Sequence, residues 1–257
     1  MMVSHSRETR SLRRPPKWPR SKHLTELAQR PYKNRILAAL PQSELSHLAS
    51  HLTPVALRPQ ETLLDGKANY GYFVEDGVAS VIASVADGNT VEIGVVGIDG
   101  IVGLPILLGA GTGPGRTFVQ IAGSGYRIPA AVLKEEFERP SELRQLLQRY
   151  IQGFLVQSAQ SAACNRLHGI EARLSYWLLA CHDRMESDAL HLTHEVLGLM
   201  LGSPRTTVTL AAGLLQRAGL ISYSRGVLTV TNRAELESAA CECYGIVRKE
   251  FRRLKLL

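Results

Sequence analysis

The chain lacks any apolar run near the roughly 18–20 residues that a membrane-spanning helix needs. Its first stretch sets Arg7, Arg10, Arg13, Arg14, Lys17, Arg20 and Lys22 against Glu8 alone, too basic and polar for a signal peptide. A soluble, cytoplasmic protein with no membrane partner is therefore expected. Cysteine is absent until Cys164, followed by Cys181, Cys241 and Cys243, and no Cys-x-x-Cys pair occurs. A disulfide framework is not expected in a reducing compartment. Cys164 and Cys181 fall in helical patterns, where a small buried hydrophobe is the plain reading. Residues two apart on a helix do not share a face, so a helical Cys241-x-Cys243 argues against a metal pair, and no metal site is expected. No Ser/His/Asp or paired-carboxylate arrangement stands out, so an enzyme is not expected either.

What is present is positive charge and enough apolar material for real cores. The 257 residues carry a net charge of +7 and are 45% hydrophobic. The length suggests two domains, and the charge favours a polyanion, of which nucleic acid is the commonest. Much of that excess lies in the first 30 or so residues, a Pro-containing tail that reads as solvated and disordered. Charge alone therefore does not establish nucleic-acid binding.

Texture changes along the chain. Ile36, Leu37, Leu40, Leu45, Leu48 and Leu52 have helical spacing. From Val55 to Ile128, β-prone runs alternate with Asp65-Gly66, Asp76-Gly77, Asp87-Gly88 and Asp99-Gly100, read as hairpin turns of a compact all-β unit. Val91, Ile93 and Val95 alternate as a half-buried strand would. After Pro140 the helical period returns. Leu143, Leu147, Tyr150, Phe154, Gln157, Ser161 and Cys164 step by four and three, a heptad seam suited to pairing with a twin helix. The same stripe could also pack on its own β unit, and both can hold, because Leu146, Ile151 and Leu155 offer a second apolar edge. Ile170, Leu174, Trp177 and Cys181 mark a further helix.

The sharpest local pattern begins at Thr193, an N-cap for a short helix through Leu201. Gly202 stops that helix, and Ser203-Pro204 is expected to restart one at once, Ser as cap and Pro at the first helical position. Helix, glycine turn, helix is the layout of a DNA-reading unit. At about 100° per residue, Val208, Ala211, Ala212 and Leu215 share a buried face. Thr206, Thr209, Leu210, Gly213 and Arg217 lie opposite, with Arg205 at the edge. Arg205, Thr206 and Thr209 would enter the groove, where Arg reads guanine and Thr meets a base, a phosphate or a thymine methyl. Leu210 suits either a thymine methyl or a neighbouring helix. Two β-prone runs flank Ser224-Arg225-Gly226 as a wing with a cationic tip. The candidate DNA-binding set is His194, Ser203, Arg205, Thr206, Thr207, Thr209, Leu210 and Arg225, with His194 and Arg225 as backbone clamps.

Taken together, residues 31–235 resemble the Crp/Fnr superfamily of bacterial regulators. Tyr72 to Ala79, Gly103 to Thr117, and Leu192-Thr193-His194-Glu195 through Gly202 to Val208 carry the resemblance. It implies an α+β fold: an N-terminal β-roll of the double-stranded β-helix or jelly-roll type, a long dimerisation helix, and a C-terminal winged helix-turn-helix. The implied divisions are a tail at 1–30, a cyclic-nucleotide-binding-like sensor at 31–140, a dimer helix at 141–168 and the winged region with a C-terminal helix at 169–257. The implied effector pocket comprises Gly103, Leu104, Arg116 and Thr117. Cyclic-nucleotide binders of the family carry Gly-Glu-Leu where Gly103-Leu104-Pro105 stands here. Arg116-Thr117 matches the far end of their phosphate cassette. With no carboxylate for the ribose hydroxyl, cyclic AMP is not carried over as the ligand. The family's oxygen sensors hold iron–sulfur clusters on N-terminal cysteines, absent here, so that chemistry is not expected; the cofactor stays unassigned. The family's recognition helix opens with an Arg-Glu pair and a later Arg. Arg205, Thr206 and Leu210 replace them, so a different operator is implied.

The implied partners are double-stranded DNA, a second copy of the chain and, for an activator, RNA polymerase. A sensor module acting through protein partners is the alternative. The Gly109–Gly115 run does not suit a nucleotide loop, because a strand pattern follows it rather than a helix start.

Overall fold

The computed structural model describes residues 32–86 and 90–257. The expected basic tail and the Asp87-Gly88 turn signal lie outside the described residues. The first apolar stretch forms two short helices, α1 (Arg35–Ala38) and α2 (Gln42–Ala49), rather than one. Pro41 separates them, since the residue before a proline is pushed out of the helical region. Asn34 starts α1: its side-chain oxygen accepts from the backbone of Ile36 and Leu37. Its amide donates to the carbonyls of Val74 and Gly100, so this fully buried polar group is satisfied on both sides.

Six strands follow, all antiparallel: β1 (Thr53–Leu57), β2 (Thr62–Lys67), β3 (Tyr70–Ser84), β4 (Thr90–Val96), β5 (Ile101–Val102) and β6 (Thr112–Pro129). The long strands β3 and β6 pair along their lengths. Their outer partners differ by half: β1 and β5 lie beside one end, β2 and β4 beside the other. This is the rolled antiparallel unit expected. Two of the four Asp-Gly signals act differently from the expectation. Asp65-Gly66 and Asp76-Gly77 are irregularities inside β2 and β3, not hairpin turns. Gly77 has φ +88°, and a Cβ there would lie 2.6 Å from the Ile121 carbonyl oxygen. The positive backbone angle that suits a turn serves equally well to bend a long strand. Asp99-Gly100 does make a turn, closed by the Gly100 N–H donating to Gly97 O at 3.1 Å. The Gly109–Gly115 run feeds strand β6 and opens no helix there.

Short helix α3 (Leu104–Leu107) interrupts the roll, and α4 (Ala130–Glu138) leaves it. Helix α5 (Glu142–Leu167) is the long one. Ser141 caps it by accepting from Arg144 N, and the Glu44 carboxylate accepts from the N–H groups of Glu142 and Leu143. Those contacts satisfy donors that a helix start leaves free, with negative charge where the dipole favours it. The expected pairing seam of α5 is turned inward on its own chain. Leu143, Leu147, Tyr150, Phe154, Gln157 and Cys164 are all buried, and Gln157 Oε1 accepts from Val95 N at 2.6 Å. Ser161 is half-buried and hydrogen-bonds Tyr176. Gly94 and Gly100 permit the close approach, since Cβ atoms there would strike Gln157 and Tyr150. The other face of α5 is a second heptad stripe, exposed at Gln148, Gln152, Leu155, Ala159, Ala162 and Arg166.

Strand β4 also departs from its expected alternation. Val91 and Ile93 are half-buried, whereas Glu92 between them is buried against the helical layer. Both faces of β4 are covered, so polarity does not mark an outside.

Helix α6 (Ile170–His182), strand β7 (Ala189–His191), α7 (His194–Met200), α8 (Arg205–Arg217), β8 (Ile221–Ser224), β9 (Val227–Val230), α9 (Arg233–Ala239) and α10 (Glu242–Arg253) complete the chain. The small sheet has the order β7-β9-β8. The last helix turns back: Val247, Phe251 and Leu254 join the core shared by the roll and α5, with Gly153 leaving room for the Phe251 ring. Among the described residues no helix is long and apolar enough to cross a membrane.

Candidate nucleic-acid interface

Helices α7 and α8 meet at a four-residue corner. Thr193 caps α7 through Oγ1, which accepts from Val196 N at 3.2 Å. Gly202 takes φ +54°, the left-handed conformation that ends the helix. Ser203 N–H then reaches back to Gly198 O at 2.9 Å, and a Cβ on Gly198 would lie 2.9 Å from Ser203 O. Gly198, mid-helix and unremarked in the sequence, is therefore what lets the corner close.

The start of α8 corrects one expectation. Pro204 occupies the N-cap, with no side-chain cap, and Ser203 Oγ donates instead to Leu201 O at 3.2 Å. The first turn of α8 thus points backbone N–H groups of Arg205, Thr206 and Thr207 outward without a side-chain acceptor, a geometry suited to phosphate.

Burial divides α8 as its periodicity predicts. Val208, Ala211, Ala212 and Leu215 are buried, and Arg205, Thr206, Thr209, Leu210 and Arg217 are exposed. Leu210 is 71% exposed, and Leu214, which the helical wheel does not single out, is 46% exposed at the edge of the same face. A helix with one side fully packed and leucines displayed on the other fits a groove rather than bulk solvent.

His194 does not stand free as a clamp. Its ring stacks on Tyr223 with centroids 4.2 Å apart, and Nδ1 lies 3.0 Å from Thr209 Oγ1. Nε2 is buried with no hydrogen-bond partner among the described residues. Burial first, and the Arg205 charge second, lower its pKa, so the ring is neutral. It locks α7, α8 and the wing together. Thr209 is correspondingly engaged, donating to Arg205 O at 2.9 Å. The wing is a two-residue hairpin: Arg225 and Gly226 both take positive φ, +51° and +81°, between paired Ser224 and Val227. Arg225 is exposed at its tip.

The roll holds a partly open cavity of about 320 Å³. It brings together Gly103, Leu104 and Thr117 with Val81, Ile93 and Phe154 of α5, and among the described residues no charged side chain lines it. Arg116 is not among the lining residues. Strand alternation turns Gly115 and Thr117 inward and Arg116 to the opposite face, where its guanidinium sits 5.2 Å from the Phe118 ring centroid.

A rolled antiparallel unit, a long helix and a helix-turn-helix with a β-wing follow one another along the chain. Residues 172–239 match the Crp-like helix-turn-helix domain family, and the chain has the Crp/Fnr fold. FixK2 from Bradyrhizobium japonicum is similar at TM-score 0.63 and 17% identity, over 74% of this chain and 98% of that one. A Crp/Fnr-family transcriptional regulator from Thermus thermophilus gives TM-score 0.59 and 20% identity, over 73% and 97%. The c-di-GMP-responsive regulator CLP from Xanthomonas campestris gives 0.57 and 16%, over 74% and 99%. No curated protein sequence matches the chain significantly.

Proposed function

We propose that this chain is a transcription regulator that binds a two-fold symmetric DNA operator as a homodimer, under control of a signal received in the roll. The exposed face of α8 is the observation that carries it: Arg205, Thr206 and Leu210 face outward from a helix whose opposite side is fully packed. In this reading Arg205 reads a base edge and Leu210 meets a thymine methyl. The free N–H groups of the first turn and Arg225 at the wing tip hold phosphates.

Gel-shift titration on the DNA flanking its own gene tests this, with affinity falling steeply as salt rises. Arg205→Ala is expected to cost roughly 1–3 kcal/mol and to relax preference at one position of each half-site. Equal weakening on operator and random DNA would make Arg205 a phosphate contact instead. Absence of any DNA binding would favour the alternative of a sensor acting on protein partners.

The dimer seam belongs on the outward stripe of α5, because the inward one is already occupied. Gln148, Gln152, Leu155, Ala159 and Ala162 supply heptad spacing, and Leu155 is 60% exposed. Leu155→Glu should convert a dimer to a monomer in light scattering and weaken operator binding at least about tenfold, since half-site binding loses its partner. A dimer that persists unchanged in Leu155→Glu would move the seam elsewhere.

The regulator from Xanthomonas is c-di-GMP-responsive, but the cavity here favours a different class of ligand. With Arg116 turned away and the walls formed by Val81, Ile93, Leu104 and Phe154, it suits a small neutral apolar molecule. Phe154 places the cavity in contact with α5, one residue before Leu155 of the proposed seam.

A further inference from the structure

We propose that Cys164, His168, Cys241 and Cys243 bind one zinc ion in a tetrahedral Cys3His site. Their four ligand atoms all lie within 4.8 Å of one another. Cys164 Sγ is 3.4 Å from Cys241 Sγ, and Cys243 Sγ is 3.6 Å from His168 Nδ1. Zinc with bonds of about 2.3 Å to sulfur and about 2.0 Å to nitrogen sets neighbouring ligand atoms roughly 3.5–3.8 Å apart. The arrangement needs only small adjustments to hold the ion.

Two helix ends make the site. His168 is the C-cap of α5, four residues after Cys164, and its backbone N–H donates to the Cys164 carbonyl at 3.2 Å, which holds the two residues together. Cys241 and Cys243 would diverge if both were helical, but they are not. Cys241 is the N-cap of α10, with φ −71° and ψ 162°, so its side chain leaves the helix frame and converges with that of Cys243. The second support is the ring of His168. With Nδ1 toward the sulfurs, Nε2 lies 3.3 Å from the Glu242 carboxylate. A carboxylate on the far nitrogen of a metal-binding histidine fixes its tautomer and orientation.

Cysteines that merely fill a core look different here. Cys181 is fully buried in α6, outside this cluster, and serves as an internal control. Three sulfurs and an imidazole favour zinc over calcium or magnesium, which take oxygen ligands. Binding the ion displaces the remaining thiol protons to solvent and leaves a net charge of −1 at the centre, next to the Arg173 guanidinium, which interacts with Cys164 and Cys241. His168 is 20% exposed and Glu242 73%, so the ion has a way in. Bound there, zinc would tie the end of the long helix, just before α6 begins, to the start of the helix that packs back on the roll.

Metal analysis of the full-length chain, purified without chelator, should find one zinc per chain. Cobalt(II) added to the metal-free chain should give the visible absorption of a tetrahedral thiolate complex. The Cys241→Ser/Cys243→Ser double variant should lose both signals, while Cys181→Ser keeps them. Titration of the unsubstituted chain with a thiol-specific mercurial should release that zinc, a readout that does not depend on a variant folding. Retention of zinc by the double variant would overturn the proposal. So would a metal-free chain giving no cobalt spectrum, or a Cys164–Cys241 disulfide as its resting state.

Discussion

Asp99→Ala is expected to lower folding stability by about 3–5 kcal/mol, the usual result of removing one partner from a buried ion pair. Arg184 and Asp99 are both buried, with Nη2–Oδ2 at 2.6 Å and Nε–Oδ1 at 3.0 Å, a two-point contact. Asp99 belongs to the β4–β5 turn and Arg184 follows the end of α6, so the pair spans the roll and the helical layer. Arg184 also donates to Ala180 O at 2.8 Å and lies over the Phe251 ring of α10. Burial alone would lower its pKa, but Asp99 and its other anionic neighbours raise it overall. Without Asp99 the guanidinium remains buried and charged with no counter-ion, and that orphan is the main cost. Gly97 gives the pair its room, because a Cβ there would lie 2.6 Å from the Arg184 Cβ. The double variant Asp99→Ala/Arg184→Met should recover part of the loss, since a thioether keeps the packing without the charge. Urea unfolding of the three chains decides the matter. A loss below about 1 kcal/mol for Asp99→Ala would show that water reaches the site.

The parts of this molecule legible in its sequence are those where one side of an element meets solvent. Helix α8 is the clearest: its buried and exposed residues follow the 3.6-residue period, and Gly202 and Arg225-Gly226 carry backbone angles that close their turns. Where both sides are covered, periodicity ceases to tell in from out. Helix α5 carries two heptad stripes, and the more apolar one suits a twin helix; it packs on its own chain for the same apolar reason. Asp-Gly pairs at 65–66 and 76–77 suggest hairpins by their commonest use, yet a long bent strand needs the same conformation. His194 suits a clamp at the groove's edge by residue type alone. Stacking on Tyr223 and the Thr209 contact, both long-range, make it a neutral brace. The family motif points Arg116 at the pocket, but strand alternation places it outside. Cys241 and Cys243 depend on a helix boundary, where sequence readings are least secure.

Glu92 shows a different kind of illegibility, and it yields the strongest pH prediction. It sits in a strand between two apolar residues, where an outward face is expected, yet it is buried against α6. Ser80 Oγ hydrogen-bonds one carboxyl oxygen and Trp177 Nε1 donates to the other at 2.6 Å. Burial raises its pKa from 4.5 to about 8, against the lowering effect of Ser80, Trp177 and Arg184. The native state therefore prefers the protonated acid more strongly than the unfolded chain does. Its stabilising contribution is complete below about pH 4.5 and declines as the pH rises, until it is lost above about pH 8. At about 1.4 kcal/mol per pKa unit, the loss across that window is several kcal/mol. Glu92→Gln keeps the shape and hydrogen-bonding capacity of the neutral acid without a titratable proton. The substituted chain should unfold at nearly the same urea concentration as the parent at pH 5, and at a clearly higher one at pH 8.5. Trp177 fluorescence reports the site directly, because its indole N–H is the group that faces the carboxyl. An equal shift of the midpoint at both pH values would mean that Glu92 is ionised in the native state and held by its donors alone. The carboxyl lies where strand β4 of the roll meets α6, where the matched helix-turn-helix region begins. If the chain is the DNA-binding regulator proposed, ionising this carboxyl would weaken the joint between the roll and the helix-turn-helix, and operator binding should weaken above pH 8 in the parent but not in Glu92→Gln.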